Sequence, residues 1–167
     1  RKAGCPMVRR IVLRLFVLVG GALAATVSLV PPPVRGADEA RGPYLSPLGL
    51  AMASAGSALY VTEHTAHRLA ALALPEGAVS WTAETPAGPA GVAVSRVGTR
   101  VFVACSEADV VAVVDPRSRQ TRERIEVGDR PWGLALSADG SRLYVCNRFS
   151  DDVSVVDAAA MKEIARV

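Results

Sequence analysis

Groups that usually build catalytic and metal centres are scarce in this chain. Its 167 residues hold two histidines and three cysteines. No cysteine stands in a Cys-x-x-Cys-His run, so this stretch offers no covalent haem attachment and no cofactor is expected within it. Aromatics number two tryptophans, three tyrosines and three phenylalanines. Bulky rings therefore cannot fill the interior. The apolar half of the chain is mostly Ala and Val, which suits thin, closely spaced sheets.

Acids are missing from residues 1–36, where Arg1, Lys2, Arg9, Arg10, Arg14 and Arg35 all lie. Those six positive charges are what make the formal charge of the whole chain +3. From Asp38 onward, sixteen acids face thirteen Lys and Arg, a balance near −3. A basic surface for nucleic acid is thus excluded as an expectation.

Residues 1–36 read as an export segment. Met7 fits a start, with residues 1–6 as upstream read-through, unless the chain is truncated at its N-terminus. Arg9, Arg10 and Arg14 precede an apolar run at 15–30, and Pro31–Pro33 close it, since proline lacks the amide hydrogen and displaces its predecessor from helical geometry. Val34-Arg35-Gly36 then places small residues for a cut before Ala37. An uncleaved anchor is the competing reading, but 16 residues fall short of the roughly 20 that span a bilayer. Either way residues 37–167 are expected in the periplasm or outside the cell, with 37–46 as a linker and no membrane contact beyond the leader. Cys5 precedes the apolar run and cannot carry a lipid placed after it.

What the chain has in quantity is repetition. Gly49, Gly91 and Gly133 lie 42 residues apart, as do Pro47, Pro89 and Pro131. The same step joins Gly56, Gly98 and Gly140; Tyr60, Phe102 and Tyr144; Val61, Val103 and Val145; and Asp115 with Asp157. Each copy reads as four short strands: 133–137; 100–105 or 142–147; 110–114 or 153–156; and 123–127. The turn Ala138-Asp139-Gly140-Ser141 separates the first two, with glycine free to take positive φ. Four strands per 42 residues is one β-propeller blade, whereas solenoids use shorter periods or helices. The expected fold is therefore all-β, with blades at 47–88, 89–130 and an incomplete 131–167 behind a signal helix. Copy one is the most eroded, with Ala73 in the aspartate column, as befits a terminal repeat.

These residues resemble the YVTN β-propeller repeat family. The pattern is carried by Pro131-Trp-Gly-Leu-Ala-Leu-Ser-Ala-Asp-Gly140, by Arg142-Leu-Tyr-Val-Cys-Asn147 and by Asp152-Val-Ser-Val-Val-Asp157. Copy two matches at 89–95, 100–105 and 109–115, and copy one keeps Leu59-Tyr-Val-Thr62 but has Glu63 where the motif has asparagine. The resemblance covers residues 44–167 and implies seven-bladed propellers of YncE-like or lactonase-like type, among them periplasmic and cell-surface binding proteins. It also includes propellers joined to di-haem, cytochrome c peroxidase-like domains. No catalytic motif of these relatives is matched. The first expectation is a binding or scaffold module for a protein or small-molecule ligand. The alternatives are the propeller of a c-type di-haem redox protein, with haem c in a downstream domain, and a lactonase-like hydrolase.

Strand order places the loops before each first strand and after each second strand on one face, where binding residues concentrate. His64 and His67 share one such loop. They could hold a metal or haem, but no third ligand is evident and two solvated side chains fit the pattern better. Trp132 stands where copies one and two carry Leu48 and Ala90. It either stacks on a ligand at the channel mouth or fills the inner rim, and burial is the commoner use of such a ring. Trp81 is expected in the core. Asp115 and Asp157 end third strands and are expected to accept backbone N–H groups. Asp151 and Asp152 could bind calcium with Asp109 or Glu107, although adjacent acids are usually just solvated. Cys105 and Cys146 lie on opposite strand faces. They could meet across a blade interface as a disulfide, or remain two small buried hydrophobes.

A single blade cannot bury both of its faces, and rings of blades usually hold four to eight. The remaining blades of its own chain are thus expected partners, since seven such blades would need about 300 residues. Residues 37–167 produced alone should expose an apolar blade face and aggregate. Recovery of a stable soluble monomer would count against the propeller reading.

Overall fold

Runs such as Val101-Phe-Val-Ala-Cys105 carry β-branched and small apolar residues on both sides, the pattern of a strand covered on two faces. The computed structural model describes residues 44–167. The expected signal segment and Cys5 lie outside the described residues. Every regular element among the described residues is a strand.

The first sheet contains β1 (Pro47–Met52), β2 (Ala58–Glu63), β3 (Arg68–Ala73) and β4 (Ala78–Glu84). β5 (Pro89–Val94), β6 (Val101–Cys105), β7 (Val110–Asp115) and β8 (Gln120–Glu126) make the second. β9 (Pro131–Leu136), β10 (Arg142–Asn147), β11 (Asp152–Asp157) and β12 (Lys162–Arg166) make the third. Each sheet is an antiparallel meander with its strands in chain order, and none closes on another as a barrel. The innermost strands β1, β5 and β9 lie side by side. That is the blade arrangement of a propeller.

The outermost strands depart from the sequence expectation. β8 begins at Gln120, where Asp115 pairs with Gln120 across the turn, rather than at Glu123. The reason is exposure. Gln120-Thr-Arg-Glu-Arg-Ile-Glu126 buries only Ile125, so hydrophobic alternation cannot mark where the strand starts.

Consecutive sheets pack through two apolar layers. Tyr60, Leu69, Ala71 and Ala83 of blade one meet Val101, Val103, Cys105, Ala112 and Val114 of blade two. Phe102, Val111, Val113 and Ile125 of blade two meet Leu143, Val145, Val156 and Ala158 of blade three. Full burial of Leu69, Phe102 or Leu143 contributes about 1.5–3 kcal/mol each. Trp81 joins the first layer from β4, with its ring centroid 5.8 Å from that of Tyr60.

Positive φ recurs in register with the repeat. It occurs at Ser46, Gly88 and Arg130; at Gly56, Gly98 and Gly140; at His67, Asp109 and Asp151; and at Gly77, Arg119 and Met161. Each blade thus has four left-handed corners, one at each loop. Glycine fills all three copies of only one of these columns. Apart from Gly77 and Gly88, the other columns hold side-chain-bearing residues in that region, at a cost of about 1–2 kcal/mol each.

The glycines at 49 and 91 answer to a different constraint, close approach. A Cβ on Gly49 would collide with the Ala90 carbonyl oxygen, and one on Gly91 with that of Trp132. Inner strands of neighbouring blades run backbone against backbone there. Gly91→Ala should therefore lower the stability of the full-length protein by about 1–3 kcal/mol. Urea unfolding followed by circular dichroism measures this. A midpoint equal to wild type would show that the inner strands are less tightly apposed.

Candidate loop-face site

β1, β5 and β9 all start at one face of the assembly, and β2, β6 and β10 all end there. The loops at that face are fastened in the same way in each copy. His64 N–H donates to the Ser46 carbonyl at 3.0 Å, Ser106 N–H to Gly88 at 2.8 Å and Arg148 N–H to Arg130 at 3.1 Å. Glu107 N–H donates to the Ala87 carbonyl, and Phe149 N–H repeats that bond to Asp129. The result is one backbone scaffold presented three times.

Neighbouring blades are also tied together at this face. Gly88 N–H donates to Nδ1 of His67 at 3.1 Å, from a blade-two loop to a blade-one side chain. Arg130 N–H donates to Oδ1 of Asp109 at 2.9 Å, and these positions are one repeat on. His64 Nδ1 lies 3.2 Å from the Pro89 carbonyl oxygen. A carbonyl can only accept, so that ring nitrogen carries the proton. Its Nε2 faces Glu107 at 3.6 Å. Each histidine thus has a ring nitrogen engaged with the blade-two backbone. His64 is half-buried, and His67, though exposed, is tethered by its bond. Neither is a simple solvated loop residue, as the sequence had suggested.

Thr62 makes the buried counterpart of these ties. Its hydroxyl donates to the Ala90 carbonyl at 2.6 Å and accepts from Gly49 N–H at 2.8 Å, so it links β1 to β5. No repeat signal marks this residue, because the same column holds Ala104 and Cys146.

Trp132 is 38% exposed. The Arg148 guanidinium lies 4.7 Å from its ring centroid. Beside it, the Arg130 guanidinium lies 5.4 Å from the ring of Phe149, which is 67% exposed. Arg148 and Phe149 lie in the 148–152 loop that strand order places on this face, but neither they nor Arg130 stood out in the sequence as site residues. The signal that could have found them is their departure from the repeat, since the matching columns hold Gly88, Ser106 and Glu107 in blade two.

The acids on this face are mostly committed to local bonds. Asp152 Oδ1 accepts from Asn147 Nδ2 at 2.6 Å and from the Ser150 hydroxyl at 3.1 Å, while its Oδ2 lies 3.7 Å from Arg166. Among the described residues there is no group of three His, Cys, Asp or Glu that could hold a metal ion.

The remaining aspartates of interest lie at the opposite face. Asp115 accepts from Arg117 N–H at 2.8 Å, and Asp157 from Ala159 and Ala160 N–H at 2.9 Å each. Backbone donors hold both carboxyls below the usual carboxylate range, with smaller help from Ser118 and Arg122 at Asp115 and from Arg142 at Asp157. Asp139, bonded chiefly by the Ser137 hydroxyl and also by Ser141, is drawn down to about 2. These groups organise turns.

Cys105 and Cys146 are both free thiols. Blade two meets blade three through the face bearing Phe102, whereas Cys105 lies on its other face among Val101 and Val103, against blade one. Cys146 is exposed, on the side of blade three that bears Tyr144 and turns away from blade two. The two sulfurs thus point in opposite directions with sheets between them, so the disulfide alternative is not formed; Cys105 is the small buried hydrophobe of the other reading, whereas Cys146 is exposed. Opposite strand faces are necessary for such a bridge, but here they come in the wrong order. Burial pushes the Cys105 thiol up to about 12, which leaves it inert.

No family model matches the chain, and no curated protein matches it. Solved structures do. Hydrazine synthase from Kuenenia stuttgartiensis is 25% identical with a TM-score of 0.72, over 78% of this chain and 38% of that one. U3-55K is 18% identical with a TM-score of 0.66, over 76% of this chain and 40% of that one. The WD40 repeats of RRP9 are 16% identical with a TM-score of 0.67, over the same shares. The described residues are β-propeller blades. The chain spans about two fifths of each of these propeller-containing chains.

Proposed function

We propose that these blades belong to an exported binding or scaffold propeller of the YVTN type, whose loop face receives a protein partner. The observation that carries this is the contrast between backbone and side chains at that face. One backbone hydrogen bond recurs in all three copies and a second in blades two and three, yet successive blades carry His64 and Thr65, then Ser106 and Glu107, then Arg148 and Phe149. A framework held constant beneath changing side chains is how propellers and other scaffolds carry recognition. The likeness to U3-55K and to the WD40 repeats of RRP9 supports the propeller scaffold itself. Export to the periplasm or cell surface rests on the basic, apolar, small-residue order of residues 1–36.

A photo-crosslinking amino acid placed in the full-length protein at Thr65, Glu107 or Phe149 should capture a defined adduct in the native host. The same group at Val97 or Asp139, on the opposite face, should not. Adducts arising equally from both faces, or from the opposite face alone, would remove the loop-face reading.

The likeness to hydrazine synthase favours a second reading, in which the blades form part of a redox enzyme with haem c downstream. A haem c band in the pyridine haemochrome spectrum of the full-length protein supports it, and a spectrum without one eliminates it.

A further inference from the structure

The loops before β9 and after β10 differ from their counterparts in a way that folding does not require. Blade two makes the same two backbone bonds with Gly88, Ala90 and Ser106 where blade three has Arg130, Trp132 and Arg148. Small side chains therefore suffice for this corner. Arg130 moreover sits at φ 54°, in the column where blade two has Gly88 at 69°. Holding a long cationic residue there is less favourable for the backbone than the glycine of blade two.

The four side chains form two cation–ring pairs, Arg148 over Trp132 at 4.7 Å and Arg130 over Phe149 at 5.4 Å. All four are exposed. Among the described residues, neither guanidinium takes part in an ion pair. Stacking on a ring fixes the plane of a guanidinium while leaving its N–H edge free. A fixed edge suits the two oxygens of a carboxylate. The exposed ring surfaces beside it suit apolar side chains, and Trp and Arg together are the commonest anchors of protein interfaces.

We propose that Arg130, Trp132, Arg148 and Phe149 form a docking patch for an acidic protein segment, with carboxylates on the two guanidiniums and apolar side chains on the two rings. This rests on the loop-face reading above and specifies its partner. A uniform polyanion fits less well, because Asp129 is exposed next to Arg130 and would repel closely spaced charges. A peptide can place its acids only where the cations are.

Fluorescence anisotropy tests this with the full-length protein and a labelled twelve-residue peptide of repeating Glu-Ala-Leu, against its Gln-Ala-Leu counterpart. The acidic peptide should bind at least tenfold more tightly than the neutral one. Arg130→Gly with Arg148→Ser, which copies blade two, should abolish that preference, and Trp132→Ala should weaken the acidic peptide about tenfold. Equal affinity for both peptides, no binding of the acidic one, or tighter binding of a single-stranded oligonucleotide of equal charge would each overturn the proposal. The wild-type comparison of the two peptides decides even if a variant misfolds. Loop-face adducts at Thr65 and Glu107 that persist without any acidic preference would overturn this patch alone. Loss of both would sink the loop-face reading with it.

Discussion

Inner strands of neighbouring blades approach so closely that a methyl group is excluded between them. At Gly49 the next backbone is the Ala90 carbonyl, and at Gly91 it is the Trp132 carbonyl. That apposition sets the rest. With β1, β5 and β9 side by side, the sheets can only fan outward, and each interface must be filled by the side chains of the second and third strands. Small residues such as Ala71 and Ala112 serve in one layer, and Phe102 with Leu143 in the next. The cost of a sheet with two apolar faces is offset only by another sheet. Blade three shows this on its far side, where Tyr144 is 42% exposed although its equivalents Tyr60 and Phe102 are 6% and 1%.

The strand pattern was legible because burial leaves periodic traces. Val101 to Cys105 and Val110 to Val114 are covered on both faces, and their composition says so. The recurring glycine column at 56, 98 and 140 likewise marked a turn that needs positive φ. Three further left-handed columns were not legible. Ser46, Arg119, Arg130 and Met161 hold that conformation without being glycine, since the hydrogen-bonded loop enforces it regardless of local preference. Exposed strands such as β8 were blurred for the opposite reason, because a strand in solvent has no burial pattern to read.

At the site, residue type proved a poorer guide than residue position. The two histidines drew attention by chemistry alone, whereas their contacts, a ring nitrogen of each bonded to the blade-two backbone, follow from where the next blade sits. The two cysteines attracted a disulfide reading, yet the order of the sheets turns them apart. Thr62 was invisible because no sequence rule says that a hydroxyl will find the carbonyl of the next inner strand. The departures of blade three at positions 130, 148 and 149 were present in the sequence throughout. They became meaningful only when equivalent hydrogen bonds in blade two showed what the backbone itself requires.

That separation gives a general way to weigh side chains in a repeat. A residue shared by all copies, such as the glycine of the 49, 91 and 133 column, answers to the fold. A residue replaced by smaller ones without altering the local bonds answers to something else. Thr62 and Arg148 illustrate the two cases on the same face. Thr62 also departs from its column, but its buried hydroxyl bonds β1 to β5 and so explains itself within the fold. Arg148 and Arg130 bring no such bond between described side chains, and Arg130 adds an unfavourable φ. Exposed cations on exposed rings stabilise a folded chain by about 0.5–1 kcal/mol per pair. At Arg130 that gain is no larger than the conformational cost of its left-handed backbone. Stability therefore does not account for the corner, and its side chains are better understood by what approaches them from outside.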